Sequence, residues 1–127
     1  MTRQQNWAIG ARECVMRFTT SGDKGKLKTY CMKAPSLLQH SGTVQALAFL
    51  ASRRGPATAF LDGLASVYFT GGQQTVPATP GRNLLELATK HELSEYLSLS
   101  RDLIEVSAWF RRFAQIEMEG IDEQENN

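Results

Sequence analysis

The apolar residues of this sequence recur at steps of three and four, the spacing that places side chains on one face of an α-helix. In the first such stretch the residues that share a face are Trp7, Ala11, Cys14, Val15 and Phe18. Alternation of apolar and polar residues, which would indicate a β-strand, does not extend over a useful length anywhere in the chain. The sequence therefore predicts an all-α fold.

Later segments repeat the helical spacing, and their local signals suggest where helices start and stop. The stripe from Leu27 to Ala34 is expected to end or kink at Pro35, because proline has no N–H for the helical hydrogen bond. A short helical piece over 36–40 is expected to follow. The segment 43–54 is apolar nearly all round, which is typical of a central buried helix. Ser100 is expected to cap the last long helix, since its hydroxyl can accept an orphan N–H.

The length and composition of the chain fit one folded domain. The sequence has 127 residues, of which 42% are hydrophobic and 21% charged, so it can bury a core without disulfides or metals. Glycine- and proline-containing breaks at 21–25, 55–56 and 71–81 separate the periodic segments. We predict a compact single-domain bundle of five to seven helices over residues 1–119. The acidic tail, residues 120–127, is predicted to be disordered.

Membrane insertion and secretion are not indicated by the sequence. The first residues have no apolar signal segment behind them, and the longest apolar run, 46–51, is far too short to span a bilayer. We therefore expect a cytoplasmic protein without a membrane partner. Cys14 and Cys31 are then expected to be reduced thiols that pack in the core.

Residues that could carry catalysis are few and scattered. His40 and His91 are the only histidines, and the HELSE segment at 91–95 lacks the second histidine of a zinc-protease helix. A nucleophile–base pair of Cys31 and His40 would require an unusual fold geometry. We expect no catalytic residues, no metal and no cofactor. A small metal-dependent hydrolase or nuclease using His40 or Glu92 is the least favoured alternative.

Charge is distributed unevenly along the chain, although the net charge is only +1. Residues 1–33 hold seven lysines and arginines against two acids, whereas residues 117–127 hold five acids and no base. The basic end could meet phosphate and the acidic end could meet a basic neighbour.

The arginines at 53–54 and 111–112 have no acidic residue at the helical steps of three and four that would pair with them, and four lysines gather around the 21–25 loop and the helix that follows it. Lysines and arginines of this kind can neutralise phosphates and release counterions. We predict RNA-backbone contacts for this set: Lys24, Lys26, Lys28, Lys33, Arg53, Arg54, Arg111 and Arg112. The alternative is an ordinary solvated surface.

Two apolar residues of the last helix lie away from its main apolar face. At about 100° per residue, Ile104 lies nearly opposite that face and Trp109 lies at its edge. We predict both as subunit-interface residues, and Trp is a residue type enriched at interfaces. The alternative is that a neighbouring helix of the same domain covers them.

Several motifs in their order along the chain resemble one small all-helical family. They are KAPSLL at 33–38, Gly42 and QALAFL at 45–50, and later YLSLS at 96–100 and WFRRFA at 109–114, with Trp7, Ala8 and Val15 in the first helix. The family is the small subunit of the type III-B CRISPR RNA-targeting (Cmr) complex. The resemblance spans about residues 4–118. The 71–81 loop and the acidic tail do not contribute to the resemblance.

The resemblance implies a structural and RNA-contacting role. Subunits of this family stack as an inner filament beside the guide-RNA backbone subunits and help hold the guide–target duplex, while other subunits cleave. The implied partners are guide RNA, target RNA, other Cmr subunits and further copies of this chain. The alternative is a helical protein-interaction module that makes no direct RNA contact.

Overall fold

The protein is an α-helical bundle, seen in a computed structural model that describes residues 1–125. Six helices follow one another in that range, and they are α1 (Arg3–Phe18), α2 (Lys24–Ser41), α3 (Thr43–Ser52), α4 (Pro56–Gly71), α5 (Pro80–Lys90) and α6 (Leu93–Glu117). The predicted all-α bundle of five to seven helices is confirmed. The domain boundary at residue 120 and the disorder of the tail remain predictions, and Asn126 and Asn127 lie outside the described residues.

The core is built around aromatic side chains from α1, α4 and α6. The rings of Phe60 and Phe110 meet edge to face with centroids 5.5 Å apart, and Phe18 lies 6.5 and 6.4 Å from them. Tyr30 of α2 stacks on Phe60 at 6.2 Å. Such pairs stabilise a core beyond the area that they bury. The apolar faces of these helices therefore pack against one another, as their helical spacing predicts.

α2 is one continuous helix, so of the end or kink predicted at Pro35 the end is wrong, and so is a separate helical piece over 36–40. Pro35 lies inside the helix, which runs on to Ser41 and ends at Gly42, a residue with φ +84°. Buried residues lie on both sides of the proline, among them Cys31, Ala34 and Leu38. Burial of this face stabilises the helix by more than the one missing hydrogen bond costs.

The last helix starts earlier than predicted, and Ser100 does not cap it. α6 begins at Leu93, so residues 93–99 belong to the same helix as the residues that follow Ser100. Ser100 lies within that helix, where its hydroxyl accepts a hydrogen bond from Thr43 Oγ1 at 2.6 Å. A tertiary partner for the hydroxyl, rather than an orphan N–H, explains a serine at this position.

The third helix is less buried than its composition suggests. Ala46, Leu47 and Leu50 of α3 are buried, but the Phe49 side chain is 40% exposed. α3 packs against α2, α4 and α5, which cover only part of its surface. The expectation that 43–54 forms a fully buried central helix is therefore wrong.

Candidate nucleic-acid interface

Four of the predicted RNA-binding residues lie on α2. Lys24 and Lys33 are exposed, whereas Lys26 and Lys28 are half-buried. Lys28 Nζ donates a hydrogen bond to the main-chain oxygen of Ile121 at 2.8 Å. Lys33 Nζ lies 2.8 Å from Glu125 Oε1. Two of the four lysines therefore contact the segment that follows α6.

We call residues 121–125 the docked segment, because they lie along α2 without forming a helix. Gln124 N donates to the carbonyl oxygen of Gly25 at 3.1 Å, and Thr29 Oγ1 donates to the carbonyl oxygen of Gln124 at 2.8 Å. The side chain of Ile121 is half-buried against the core. Nothing in the local sequence pattern predicted this contact, because its two sides are separated by more than 90 residues.

The ion pair between Lys33 and Glu125 is exposed to solvent. The side chains are 57% and 73% exposed, so the pair contributes little to folding. The hydrogen bond with Glu125 raises the pKa of Lys33, and the nearby charges of Glu125 and Glu123 also raise it. Lys33 therefore has carboxylates as neighbours in space, although it has none at helical steps in the sequence.

A groove of about 350 Å³ between α2 and α3 brings Lys33 together with Arg53. Its walls include Leu37 and the partly exposed ring of Phe49. The guanidinium carbon of Arg53 lies 4.8 Å from the centroid of the Phe49 ring, a cation–π contact. Arg54, the next residue, is exposed.

The paired arginines of α6 lie in different surroundings. Arg111 is exposed, and its guanidinium donates a hydrogen bond to the main-chain oxygen of Met32 in α2 at 2.7 Å. Arg112 is exposed and lines a shallow depression beside Ala108 and Trp109. The fold thus brings Arg111, but not its neighbour, onto α2 beside the lysines of that helix.

The two predicted interface residues are half-buried within this chain. Ile104 and Trp109 both pack against the core. Trp109 stacks on Phe113 with ring centroids 5.9 Å apart, and its Nε1 donates to Gln4 Oε1 at 3.1 Å. Part of each side chain remains accessible, so their role between subunits stays a prediction.

More strongly exposed apolar side chains occur on α1 and α6. Leu93 is 72% exposed and Leu97 is 54% exposed, both in the first turns of α6. Ile9, Met16 and Ile116 are also about half exposed. Leucines four residues apart are typical of a buried face, so no signal in the sequence would have identified them.

The cysteines are packed in the core, as predicted. Burial raises the pKa of Cys14 to about 11, although Arg17 partly offsets the effect. Burial also raises the pKa of Cys31. Both thiols are therefore protonated at neutral pH, the form of cysteine that is inert as a nucleophile.

The histidines do not converge with other metal-binding side chains. His91 is the C-cap of α5, and its Nε2 lies 3.9 Å from Glu95. Among residues 1–125, no three His, Cys, Asp or Glu side chains are grouped so that they could hold a metal ion. In the same range, no helix is both long and apolar enough to span a bilayer.

Comparison with known proteins shows the family of the chain. The family model described as CRISPR-associated protein (Cas_Cmr5) matches residues 3–117. The CRISPR system Cmr subunit Cmr5 of Thermus thermophilus is 36% identical over 115 residues, covering 90% of this chain and 94% of that protein. The X-ray crystal structure of a CRISPR-associated Cmr5 family protein from the same organism superimposes with a TM-score of 0.83 at 34% identity, covering 94% of this chain and 99% of that one. The chain therefore belongs to the Cmr5 family of CRISPR-associated proteins, which confirms the resemblance carried by its sequence motifs.

Proposed function

We propose that this protein is a non-catalytic small subunit of a type III-B CRISPR (Cmr) ribonucleoprotein complex in the cytoplasm. It helps to assemble the inner filament with other Cmr subunits and further copies of itself, and it holds guide and target RNA. Membership of the Cmr5 family supports this proposal, since a relative that matches nearly the whole chain is named as a Cmr subunit.

The observation that carries the RNA-holding role is the way Arg111 is held. Its guanidinium donates a hydrogen bond to the main-chain carbonyl of Met32 in α2. A carbonyl is a neutral acceptor, so it orients the cation without cancelling its charge. A cation that is already held in position can bind a phosphate group at a smaller entropic cost than a mobile cation can.

RNA contact through such residues would be made to the backbone. The phosphate-binding set is the one predicted from the sequence, namely Lys24, Lys26, Lys28, Lys33, Arg53, Arg54, Arg111 and Arg112. Contacts to phosphates fix position and register but do not read bases. We therefore expect little base preference in the RNA that this subunit holds, with Ile104 and Trp109 contributing to contacts between subunits.

The test is RNA affinity of the assembled complex as a function of salt. Reversing Arg111 and Arg112 to Glu, or Lys24 and Lys28 to Glu, should weaken binding and flatten the slope of log K against log salt by about 0.7 per lost phosphate contact. A matched control reverses two exposed cations of α5, Arg82 and Lys90, and should leave the slope unchanged. Equal slopes for all three double variants would refute direct RNA contact.

A protein-interaction module without RNA contact is the second candidate. The exposed Leu93 and Leu97 favour it, because apolar side chains this accessible are suited to covering by another subunit. Under this alternative the same charge reversals reduce incorporation of the subunit into the complex. RNA affinity per assembled complex then stays the same. Measuring subunit stoichiometry and RNA affinity on the same preparation separates the two functions.

A further inference from the structure

We infer that the docked segment competes with RNA for the lysines of α2, so that the acidic end of the chain must leave before RNA can bind there. This inference rests on the proposed function and concerns the regulation of the same surface. It follows from three features of the structure: the main-chain contacts of the segment, the fit of Gly25 beneath it, and the carboxylates that it carries.

The segment is held on α2 mainly through its backbone. Gln124 uses both its N–H and its carbonyl oxygen, toward Gly25 and Thr29 respectively, while the carbonyl oxygen of Ile121 accepts from Lys28. Contacts made by the main chain depend on the path of the segment rather than on one side chain. Lys28 already gives one of its three ammonium donors to the segment, so a phosphate at this lysine would have to compete with that carbonyl and with the chain that carries it.

Gly25 is the residue that allows the segment to lie so close to the helix. It is buried, and a β carbon built there would lie 2.7 Å from the main-chain oxygen of Asp122 and 2.9 Å from Gln124 Cγ. Glycine near the start of a helix costs stability relative to alanine. The close approach of the segment supplies a physical reason for its presence.

The segment also carries negative charge to the lysines. Glu125 pairs with Lys33, and the charge of Glu123 acts on the same lysine. A polyanion approaching this surface meets these carboxylates, and like charges repel. The segment thus offers Lys28 and Lys33 the same kinds of oxygen acceptor that an RNA backbone would offer.

Release of the segment does not require α6 to unfold. Gly120 separates the helix from the segment with φ +85°, and no atom lies within 4 Å of the place where its β carbon would be. The preceding Met118 is fully buried and anchors the end of the helix. Rotation about Gly120 can therefore move the segment while α6 stays folded, with loss of the half-buried contact that Ile121 makes with the core.

Gly25→Ala tests this inference without changing any charge. The added methyl group excludes the segment sterically, whereas alanine is well tolerated in a helix. Gly22→Ala is the matched control, because nothing lies within 4 Å of a β carbon at Gly22. The probe is a fluorescein-labelled uridine homopolymer, titrated with the full chain over a range of salt concentrations.

For Gly25→Ala we expect RNA to bind about tenfold more tightly than to the wild type. A factor of ten corresponds to a wild-type site that the docked segment leaves uncovered in about one molecule in ten. Freeing Lys28 and Lys33 should steepen the salt slope by about 1.4, which is two single-strand phosphate contacts. Amide exchange at Gln124 should become faster. Gly22→Ala should match the wild type in all three measurements.

A second variant, Glu123→Gln with Glu125→Gln, keeps the backbone contacts and removes two exposed charges, so it cannot fail through misfolding of the core. It should also bind RNA more tightly. Tighter binding by this variant alone, with Gly25→Ala equal to the wild type, would mean a bulk charge effect and would overturn the inference.

The failure of this inference can be told apart from the failure of the proposed function. If Lys24→Glu with Lys28→Glu weakens RNA binding but Gly25→Ala leaves it unchanged, the surface binds RNA and the segment does not compete. If the lysine reversal has no effect even in the Gly25→Ala background, RNA does not use this surface and this inference fails. The proposed function fails only if reversal of Arg111 and Arg112 has no effect either.

Discussion

Gly71, the last residue of α4, lies directly against the indole ring of Trp7 in α1. A β carbon at Gly71 would overlap Trp7 Cδ1 and Nε1. Trp7 is 1% exposed, so its ring cannot move outward without opening the contact between the two helices. The absence of a side chain at Gly71 is therefore what allows α1 and α4 to meet at this end of the bundle.

Gly71→Ala should destabilise the fold for this reason. Overpacking of a well-filled core costs about 1–3 kcal/mol in free energy of unfolding. The matched control is Gly72→Ala, since Gly72 is exposed and a β carbon there would have its nearest neighbour at 3.6 Å. Urea unfolding curves measure both. Equal midpoints for the two variants would contradict the close contact with Trp7.

The hydrogen bond between Thr43 and Ser100 should appear as a coupling energy between α3 and α6. Ser100→Ala leaves the Thr43 hydroxyl, on a residue that is 1% exposed, without its acceptor, at a cost of about 1 kcal/mol. In the double variant with Thr43→Val that penalty should largely disappear. Unfolding free energies of the four proteins complete the cycle, with exposed Ser98→Ala as control. Strict additivity would show that the two hydroxyls do not interact.

Pro35→Ala should stabilise the protein, because the helix continues through this position. Proline in a helix interior is about 3 kcal/mol less favourable than alanine, and loss of its rigidity in the unfolded chain offsets part of that. We expect a net gain of about 1–2 kcal/mol in free energy of unfolding. Gln39→Ala, an exposed change in the same helix, should be close to neutral. A loss of stability with Pro35→Ala would indicate that a second helix starts at the proline.

Cys14 should resist alkylation in the folded protein. Its pKa of about 11 lies well above the ordinary value of 9.0, so the reactive thiolate is about 100-fold scarcer than in the unfolded chain at pH 8. Mass spectrometry after treatment with iodoacetamide, with and without urea, measures the difference. Rapid modification of the native protein would contradict the burial of this thiol.

The same thiol gives stability a defined dependence on alkaline pH. The folded state keeps its Cys14 proton up to about pH 11, whereas the unfolded state loses that proton from about pH 9. The unfolded state therefore binds fewer protons in this range, and the free energy of unfolding falls as the pH rises. Cys14→Ala should remove part of that slope in urea titrations at different pH values.

Helical periodicity predicted the fold class because it identifies the apolar side chains that lie on one face of a helix and are buried together against its neighbours. Trp7, Ala11, Cys14, Val15 and Phe18 are all buried, as their spacing indicates. Local signals for helix ends were less reliable. At Pro35 and Ser100 the sequence pattern predicts a boundary, but packing against a distant helix determines the structure.

The candidate site was predictable only in its residue types. The gathering of lysines around the 21–25 loop and the following helix identified Lys28 and Lys33, yet their contacts come from Ile121 and Glu125, which lie 93 and 92 residues away along the chain. Local spacing contains no information about contacts of that range. For the same reason the sequence could not separate Arg111, which is anchored on α2, from the adjacent Arg112.

α6 makes its most extensive contact with α2 and also packs on α1 and α4, so this sixth helix completes the core formed by the helices before it. While the protein is being translated, Phe18 and Phe60 emerge from the ribosome long before Phe110, the residue that packs against both. The nascent chain therefore has an incomplete core until α6 has left the ribosome. Folding, and with it any docking onto partner molecules, must wait until then.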